Sequence, residues 1–410
     1  MKDIAMDFEK NIDGGALADL RVLDIATAAA APWASTLMAD FGAEVIKVEK
    51  PNEGDPIRSW GEQKGNVPLF WQSIGRGKKS ITLDLRKEKG KEIFLSLCKT
   101  ADVVVENFRS GTLERWGIGP DILHEVNPKL VILRLTGFGQ FGPYSKRPGF
   151  GTLAEAMSGY SYTTGLKDGP PTLPSLPLGD GIAGIFGAFS IMVALHARNS
   201  KRIGKGQVLD LALYEPILRL LEANTIDYDQ LGVIRTRQGN RLPQTTPRNL
   251  YKTLDSAWIA LSGSTPATAE RVLRAIGRAD LISNPKFSNN RARRENADEL
   301  DELIQAWFEK HSLQEALVIM EEYEVAVAPV YSVKDVFEDP HFQERETIIK
   351  VPSEELGEVA LNNVIPKMSL TPGSIRWPGP TLGKHNKEIY CNELGMCVKD
   401  LEILQQENVI

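Results

Sequence analysis

The stretch that decides the fold is residues 20–49, which read LRVLDIATAAAAPWASTLMADFGAEVIKVE. Residues 20–24 and 44–49 are rich in branched apolar side chains and predict two short buried strands. Between them, the very small side chains of residues 26–31 predict a turn, and Pro32 opens a helix that we expect to run through Met38. A strand, turn, helix and strand in this order indicate the start of a parallel sheet, in which ligands bind beyond the carboxyl ends of the strands.

More buried strands are predicted along the first half of the chain, at residues 80–85, 101–106, 131–135 and from Leu209. Charged or polar helical segments separate them, including one that starts near Lys87. The turn after the first strand lacks the G-x-G-x-x-G pattern of dinucleotide-binding proteins. We therefore predict an α/β fold with a doubly wound parallel sheet, and a helix near Tyr214 to Tyr228 that follows it.

The pattern changes after residue 220, so that residues 1–220 are predicted to form a large α/β domain. Residues 221–245 are polar and rich in arginine, which is typical of an interlobe linker. Residues 246–345 predict a smaller α+β domain, with a hairpin from Tyr251 to Leu261 and mostly helices from 265 to 321. We expect the C-terminal segment, residues 346–410, to return to the large domain or to cover a partner.

Composition excludes several classes of protein. The chain has 410 residues and a formal net charge of -6, which gives no overall attraction to nucleic acid or to an anionic membrane. Its three cysteines form neither a disulfide framework nor a metal-ligand set, which fits a reducing cytoplasm. Residues 1–10 have no apolar signal core, and the glycine-interrupted apolar run from Ile182 to Leu195 is judged too short to span a bilayer. We expect a soluble cytoplasmic protein without a metal site, a nucleic-acid partner or a membrane partner.

Asp180 lies at the junction of a proline-rich segment and an apolar helix, in the stretch 171–189, PTLPSLPLGDGIAGIFGAF. Two interpretations of this residue are open. As an N-cap, its carboxylate would accept bonds from first-turn amides, and the helix dipole would favour its ionised form. As a nucleophile, it would present oxygens that Gly179 and Gly181 leave accessible on both sides.

Other residues narrow the chemistry. Basic residues follow predicted strands in three places, at Lys47 and Lys50, at 76–79, and at Arg109 and Arg115, where nucleotide phosphates bind in open α/β sheets. Phe108 and Trp116 could lie beside an adenine, although solvated loop charges are the alternative interpretation. The five histidines occur singly, and neither G-x-S-x-G nor a P-loop is present. A carboxylate is therefore the expected attacking group if the protein is an enzyme.

Several motifs, taken together, are specific enough to indicate a family. They are residues 31–49, 54–58, 78–85, 105–109, 137–139, 147–150 and 179–180. Through them the chain resembles the class III coenzyme A transferases, also called the CaiB/BaiF family. Its appearance is closest to the branch that contains succinyl-CoA:benzylsuccinate CoA-transferase and related dicarboxylate enzymes. The resemblance implies interlocked dimers, either a homodimer or a heterodimer with a related subunit.

The resemblance also implies a reaction. Asp180 would be the catalytic nucleophile that moves CoA from an acyl-CoA, expected to be succinyl-CoA, to a free carboxylic acid, expected to be a dicarboxylate. The intermediates would be an aspartyl anhydride and an aspartyl-CoA thioester, with the CoA thioester as substrate and no tightly bound cofactor. The family positions that contact CoA correspond to Ala28, Ala29, Lys50, Ile74, Gly75, Arg76, Gly77, Asn107, Phe108, Arg109, Arg115, Pro148, Gly149 and Phe150.

Two alternatives remain from the sequence. Acyl-CoA racemases of the same fold use a histidine base at the position of Phe150, which cannot move a proton. A non-catalytic CoA-binding subunit of a heteromer is the other alternative, against which the presence of Asp180 argues. Four clustered arginines could supply a positive face for a second carboxylate or could form an interlobe or subunit surface, and they are Arg235, Arg237, Arg241 and Arg248.

Overall fold

The computed structural model describes residues 14–200 and 203–410. The strands within them, in chain order, are β1 Arg21–Asp24, β2 Glu44–Glu49, β3 Gln63–Lys64, β4 Val67–Pro68, β5 Lys78–Thr82, β6 Val103–Glu106, β7 Val131–Thr136, β8 Val208–Ala212, β9 Arg248–Lys252, β10 Trp258–Ser262, β11 Val327–Pro329, β12 Ile348–Ser353 and β13 Gly357–Asn362.

The α-helices, in chain order, are α1 Ala30–Asp40, α2 Leu69–Ile74, α3 Glu88–Cys98, α4 Thr112–Arg115, α5 Pro120–Val126, α6 Gly151–Met157, α7 Tyr160–Thr163, α8 Leu178–Asn199, α9 Tyr214–Leu220, α10 Glu222–Leu231, α11 Pro266–Ala275, α12 Asn290–Glu295, α13 Ala297–Phe308, α14 Leu313–Glu322, α15 Val333–Glu338, α16 Pro340–Glu344 and α17 Val398–Gln406. Single 3₁₀ turns lie at Pro56–Ser59 and Ala279–Ser283, and a π-helical turn at Glu388–Glu393.

The chain divides into two compact units. The first unit comprises Met1–Tyr160, Leu173–Ile226 and Arg345–Ile410, and the second comprises Ser161–Thr172 and Asp227–Glu344. The predicted linker, residues 221–245, contains helix α10, and the predicted single helix near 214–228 is two helices, α9 and α10.

The first unit is built on a parallel sheet with the strand order β5-β2-β1-β6-β7-β8. The chain leaves β1 towards β2 on one side and later reaches β6 on the other side, so the strand order switches between β1 and β6. In open α/β sheets, ligands bind in the crevice beyond the carboxyl ends of the strands at such a switch. The predicted doubly wound parallel sheet is confirmed.

Both faces of this sheet are covered. Leu23, Ile46 and Ile132 point into one core, which α3, α5 and α17 cover. Their neighbours Val22 and Val45 point into a second core, which α1 and α8 cover. Burial on two faces explains why these strands read as continuous apolar runs in the sequence.

Helix α8 lies directly against α1 over the second core. A β-carbon at Gly184 would lie 2.8 Å from Cβ of Trp33 and 2.9 Å from the backbone oxygen of Ala30. At Gly187, a β-carbon would lie 3.3 Å from Cβ of Ala34. The two helices therefore approach this closely only because α8 lacks side chains at the contact.

The length of α8 corrects an expectation. The sequence predicts an apolar run too short to cross a bilayer, but α8 has 22 residues and a mean hydropathy of 1.8, enough to span a membrane by length and composition. The helix is longer because Leu178 to Gly181 and the polar residues up to Asn199 are also helical. This is weak evidence for a membrane segment, since a core helix of a soluble protein passes the same test.

The second unit contains a three-stranded antiparallel sheet with the order β11-β10-β9. Its core includes Tyr251, Ile259 and Leu300. The hairpin predicted from Tyr251 to Leu261 is confirmed by β9 and β10. The helices predicted within residues 265–321 are confirmed by α11, α13 and α14.

The segment Arg345–Ile410 covers the free edge of β5 in the first unit. Nε1 of Trp377 donates to the oxygen of Lys78 at 2.9 Å, and the backbone N–H of Ser80 donates to Nδ1 of His385 at 3.0 Å. The hydroxyl of Tyr390 donates to the oxygen of Thr82 at 2.7 Å. Bonds of this kind satisfy an edge strand that would otherwise be open to pairing with another chain.

Replacing Gly184 by valine tests the contact between α8 and α1. Because the new side chain would collide with backbone, we expect a loss of about 2 kcal/mol or more in the free energy of unfolding, measured by chemical denaturation. The matched control is Gly181→Ala, whose β-carbon would have its nearest neighbour 3.7 Å away. That control should be neutral or stabilise by up to about 1 kcal/mol. Equal stability of the two variants would contradict the packing described.

Candidate active site

A cavity of about 270 Å³ opens beyond the carboxyl ends of β1, β6 and β7. The loops that follow these strands line it, together with the start of α8, and the lining includes residues 27–30, 107–109, 136–138, 147–150 and Asp180. The cavity therefore lies at the switch between β1 and β6, where ligands bind in folds of this type.

Asp180 is the third residue of α8 and not its cap. The helix begins at Leu178, and the residue before it is Pro177, which makes no side-chain capping bond. The interpretation of Asp180 as an N-cap is therefore wrong. Its side chain lines the cavity instead.

Helix α6 lies against one side of the Asp180 carboxylate. A β-carbon at Gly151 would lie 2.8 Å from Oδ2 and 2.9 Å from Cγ of Asp180, so the carboxylate occupies space that any other residue at 151 would fill. One turn later, Oε1 of the buried Glu155 accepts the backbone N–H of Gly179 at 2.9 Å. Glu155, and not Asp180, thus satisfies this first-turn amide of α8.

The protonation of Asp180 also differs from expectation. Burial, and secondly the charge of Glu155, raise the pKa of Asp180 from 3.8 to about 6. We expected the helix dipole to favour the ionised form, but loss of solvation and a like charge outweigh it. A carboxyl group with this pKa is still ionised in roughly ten molecules of eleven at pH 7. Asp180 is therefore an anion that is more basic than an exposed aspartate.

Four buried charged residues lie beneath the loop that follows β1. Nζ of Lys47 lies 2.8 Å from Oδ2 of Asp55, and Nζ of Lys78 lies 2.8 Å from Oδ2 of Asp24, with each side chain at most 1% exposed. Burial opposes ionisation of Asp24, but the two lysines hold the pKa of Asp24 below its usual value. The other Asp55 oxygen, Oδ1, accepts the backbone N–H of Ala28 at 2.9 Å. The ion pairs thereby anchor the cavity loop, in which Ala28 has a left-handed φ of 62°.

Asn107 holds the same loop from the β6 side. Its Oδ1 accepts the N–H of Thr27 at 2.8 Å, and its Nδ2 donates to the oxygen of Thr27 at 2.7 Å. Two bonds to one residue fix the loops after β1 and β6 against each other at the cavity.

The structure brings most of the predicted site residues together. Besides Asp180, the cavity lining includes Ala28, Ala29, Asn107, Phe108, Arg109, Pro148, Gly149 and Phe150. A second cavity of about 260 Å³ is lined by Lys50, Phe108 and Trp116, among others. Thr27 and Phe108 line both cavities, so the two adjoin. The rings of Phe108 and Trp116 meet edge to face with centroids 4.9 Å apart.

Other predicted residues lie elsewhere. Ile74 is buried, and the guanidinium of Arg76 donates to both oxygens of Asp40, at 2.8 and 2.6 Å. Gly75 and Gly77 belong to the same segment, against the tail at Trp377 and Gly379. Arg115 donates to Oγ1 of Thr112. These residues line neither of the two cavities described.

From the sequence, the basic residues 47 and 76–79 are expected to be phosphate ligands or solvated charges. Lys47 and Lys78 are instead buried in ion pairs with aspartates, and Lys79 pairs with Glu44 and Glu388. These pairs were not predicted, because only the folded sheet brings the acidic partners next to the lysines.

Sequence reasoning missed three residues of this site as functional candidates. Trp60 and Arg147 line the cavity, and the Arg147 guanidinium stacks 3.7 Å from the ring centre of Tyr144. Arg147 directly precedes Pro148, so its position next to a predicted contact was the available signal. Glu155 had none, because its partner is a backbone amide.

The four clustered arginines fall into two places in the second unit. Arg235, Arg237 and Arg241 line one cavity, where Arg235 pairs with Asp227 and Arg241 with Asp298 and Asp301. Arg248 lines another and donates to the oxygen of Asn240. Their proposed role as a carboxylate-binding face stays a prediction.

Among residues 14–200 and 203–410, no group of three or more His, Cys, Asp and Glu side chains is placed to hold a metal ion. The three cysteines are free thiols.

Comparison with known proteins identifies the relatives of the chain. The model of CoA-transferase family III matches residues 17–386. The succinyl-CoA–D-citramalate CoA-transferase of Chloroflexus aurantiacus is 44% identical over 396 residues, which cover 96% of this chain and 98% of that protein. The succinyl-CoA–L-malate CoA-transferase beta subunit of the same organism is 39% identical, over 96% of this chain and 98% of that subunit.

A solved structure agrees with these relatives. The crystal structure of a CaiB/BaiF family protein from Brucella suis matches with a TM-score of 0.81 and 29% sequence identity. The match covers 92% of this chain and 99% of that one.

The raised pKa of Asp180 predicts a pH-dependent cost to stability. Above pH 6 the folded protein must ionise a buried carboxyl group, whereas near pH 4 and below it keeps the proton and the cost disappears. Asp180→Asn should therefore stabilise the protein at pH 8 by about 2 kcal/mol. A pKa change of one corresponds to about 1.4 kcal/mol, and the cost of the whole shift is reduced because the open cavity lets water screen the charge.

Urea unfolding of both proteins at pH 8 and pH 5 measures this difference. The gain should be smaller at pH 5. Because asparagine before Gly181 can deamidate, intact mass must confirm the variant. A gain that is absent, or equal at both pH values, would contradict the assigned environment of Asp180.

Proposed function

This chain belongs to CoA-transferase family III, and we propose that it moves coenzyme A from succinyl-CoA to a short free dicarboxylate, with Asp180 as the covalent carrier. The observation that carries the proposal is the Asp180 carboxylate, which faces a cavity at the sheet switch and has no capping role. The two Chloroflexus relatives are named for succinyl-CoA with citramalate or malate, which supports a hydroxy-dicarboxylate as acceptor.

The two adjoining cavities suggest how the donor lies. The nucleotide end of CoA would occupy the second cavity, where Phe108 and Trp116 offer apolar surface to adenine and Lys50 offers positive charge. The pantetheine arm would pass Thr27, which lines both cavities, and bring the thioester to Asp180. The exposed Arg109 and Arg147 are the cations that line the cavity of Asp180, and either suits the free carboxylate of the succinyl group.

The first half of the reaction would load CoA onto the enzyme. A carboxylate oxygen of Asp180 attacks the thioester carbonyl of succinyl-CoA, the C–S bond breaks, and CoA leaves as a thiolate from an aspartyl-succinyl anhydride. A thiolate is a workable leaving group because thiols ionise at a pH of about 8.5. The thiolate then attacks the aspartyl carbonyl, which releases succinate and leaves an Asp180-CoA thioester.

The second half would repeat these steps with the acceptor. Its carboxylate attacks the aspartyl carbonyl and expels CoA thiolate, which forms a second anhydride. The thiolate attacks the acceptor carbonyl, which yields the new acyl-CoA and frees Asp180. No proton transfer or redox step is required, so a basic and mostly ionised carboxylate is sufficient.

The racemase alternative would need a base close to the acyl group. Phe150, at the position of the racemase histidine, lines the cavity and is 64% exposed. The described lining of this cavity contains no histidine.

We further propose that the protein is cytoplasmic and forms a dimer. The dimer is either a homodimer or a heteromer, since one relative is named as a beta subunit.

Asp180→Ala should lower the rate of CoA transfer by at least about a thousandfold, because the covalent carrier is lost. The assay supplies succinyl-CoA with citramalate, malate or glutarate and follows the new acyl-CoA by chromatography. The matched control is Asp229→Ala, which removes an exposed aspartate and should keep wild-type activity.

The same preparation tests the intermediate. Wild-type protein with succinyl-CoA alone, quenched with hydroxylamine, should carry a hydroxamate on the peptide that contains Asp180. Transfer by Asp180→Ala at the wild-type rate would overturn the proposal. Exchange of the acyl α-hydrogen without a new acyl-CoA would favour a racemase, and neither reaction would favour a passive subunit.

A further inference from the structure

We propose that Glu155 is a positioning residue for Asp180. The Glu155 carboxylate accepts the hydrogen bond of the Gly179 amide at the start of α8, so that the Asp180 oxygens stay free to face the cavity. The inference rests on the proposed function only in taking Asp180 as the reacting group. It assigns a role to a buried carboxylate that does not itself react.

The start of α8 offers Asp180 few alternative partners. An acidic side chain at the third position of a helix commonly bonds back to the N–H of the N-cap residue. Here that residue is Pro177, which has no N–H. The amide of Leu178 donates to the oxygen of Leu176 at 2.7 Å, and that of Gly181 donates to the oxygen of Pro177 at 3.0 Å.

The remaining first-turn amide before Asp180 is that of Gly179, and Glu155 accepts it at 2.9 Å. Glu155 is 3% exposed, so water does not compete for this bond. Without the Glu155 carboxylate, the buried Gly179 amide would lack this acceptor and would attract the carboxylate of Asp180, the next residue.

Helix α6 presents two matched features to Asp180. Gly151 and Glu155 are four residues apart and therefore lie on the same face of α6. Gly151 leaves room for the carboxylate, whose Oδ2 would lie 2.8 Å from a β-carbon there. Glu155 adds negative charge one turn away, which joins burial in raising the pKa of Asp180. The helix thus both frees the carboxylate and keeps it basic.

The charge effect can be separated from the hydrogen bond. Glu155→Gln keeps the shape and an oxygen that can accept from Gly179, but removes the charge. The charged groups on other elements around the cavity, Arg109 and Arg147, stay unchanged. We expect the titration midpoint of Asp180 to fall by about 0.5 in pH or more, and the acid limb of the kcat profile to move with it.

Carboxyl carbon NMR of protein labelled with ¹³C-aspartate measures this midpoint without requiring activity. The Asp180 signal is assigned by its loss in freshly prepared Asp180→Asn. Glu125→Gln, which neutralises an exposed glutamate on α5, is the matched control and should leave the midpoint in place.

Glu155→Ala removes the acceptor as well as the charge. We expect kcat to fall by at least about tenfold with the KM for succinyl-CoA changed by less than about threefold, because substrate still binds while the nucleophile is turned away. Glu155→Gln should recover most of this kcat at pH 8. That recovery separates positioning from a general loss of folding.

Two results would overturn the inference: an Asp180 midpoint in Glu155→Gln equal to that of wild type, or a kcat in Glu155→Ala equal to that of wild type. If Asp180→Ala still transfers CoA while the midpoint responds to Glu155, the proposed function fails and the positioning of Asp180 stands.

Discussion

The close approach of α8 to α1 is the constraint on which the rest of the site depends. Glycines at 184 and 187 let α8 meet the small residues Ala30 and Ala34 of α1 at backbone distance. Since α1 itself starts in the loop after β1, this contact brings the first turn of α8 to the carboxyl ends of the central strands. Asp180 is therefore placed at the cavity by packing within the fold, and not by a flexible loop. Bulkier residues at the contact would move the helix and its carboxylate together.

A second constraint holds the loop after β1, which lines the same cavity. Lys47, Lys78, Asp24 and Asp55 are buried as neighbouring ion pairs, and through Asp55 they fix the amide of Ala28. Removing one partner of such a pair typically costs about 3–5 kcal/mol, because a charge is then left alone in the interior. The loop after β1 is thus held by paired charges, whereas the Asp180 side of the cavity has an anion beside another carboxylate.

Much of the fold was predictable because it depends on local patterns. Apolar runs such as 103–105 and 131–133, with their covering helices, identify the parallel sheet, and the motif Gly179-Asp180 predicts the reacting carboxylate through the resemblance to the family. The environment of that carboxylate was not predictable in the same way. Pro177 shifts the helix start ahead of Asp180, and the Gly179 amide is satisfied by Glu155, 24 residues earlier. Likewise, Lys47 and Lys78 read as phosphate ligands or solvated charges, because only the folded sheet brings Asp24 and Asp55 next to them.

The chemistry proposed for the site requires an oxygen atom to pass through Asp180. When the acceptor carboxylate attacks the aspartyl-CoA thioester and expels CoA thiolate, its oxygen becomes the bridge of the anhydride. The thiolate then attacks the acceptor carbonyl, the bond between that carbonyl and the bridge oxygen breaks, and the oxygen remains on Asp180. Turnover of succinyl-CoA with an acceptor labelled with ¹⁸O in its carboxylates, followed by mass spectrometry of the peptide that contains Asp180, tests this most directly. The covalent route predicts ¹⁸O on Asp180 and, in later turnovers, in the released succinate. Unlabelled Asp180 and succinate after many turnovers would contradict it.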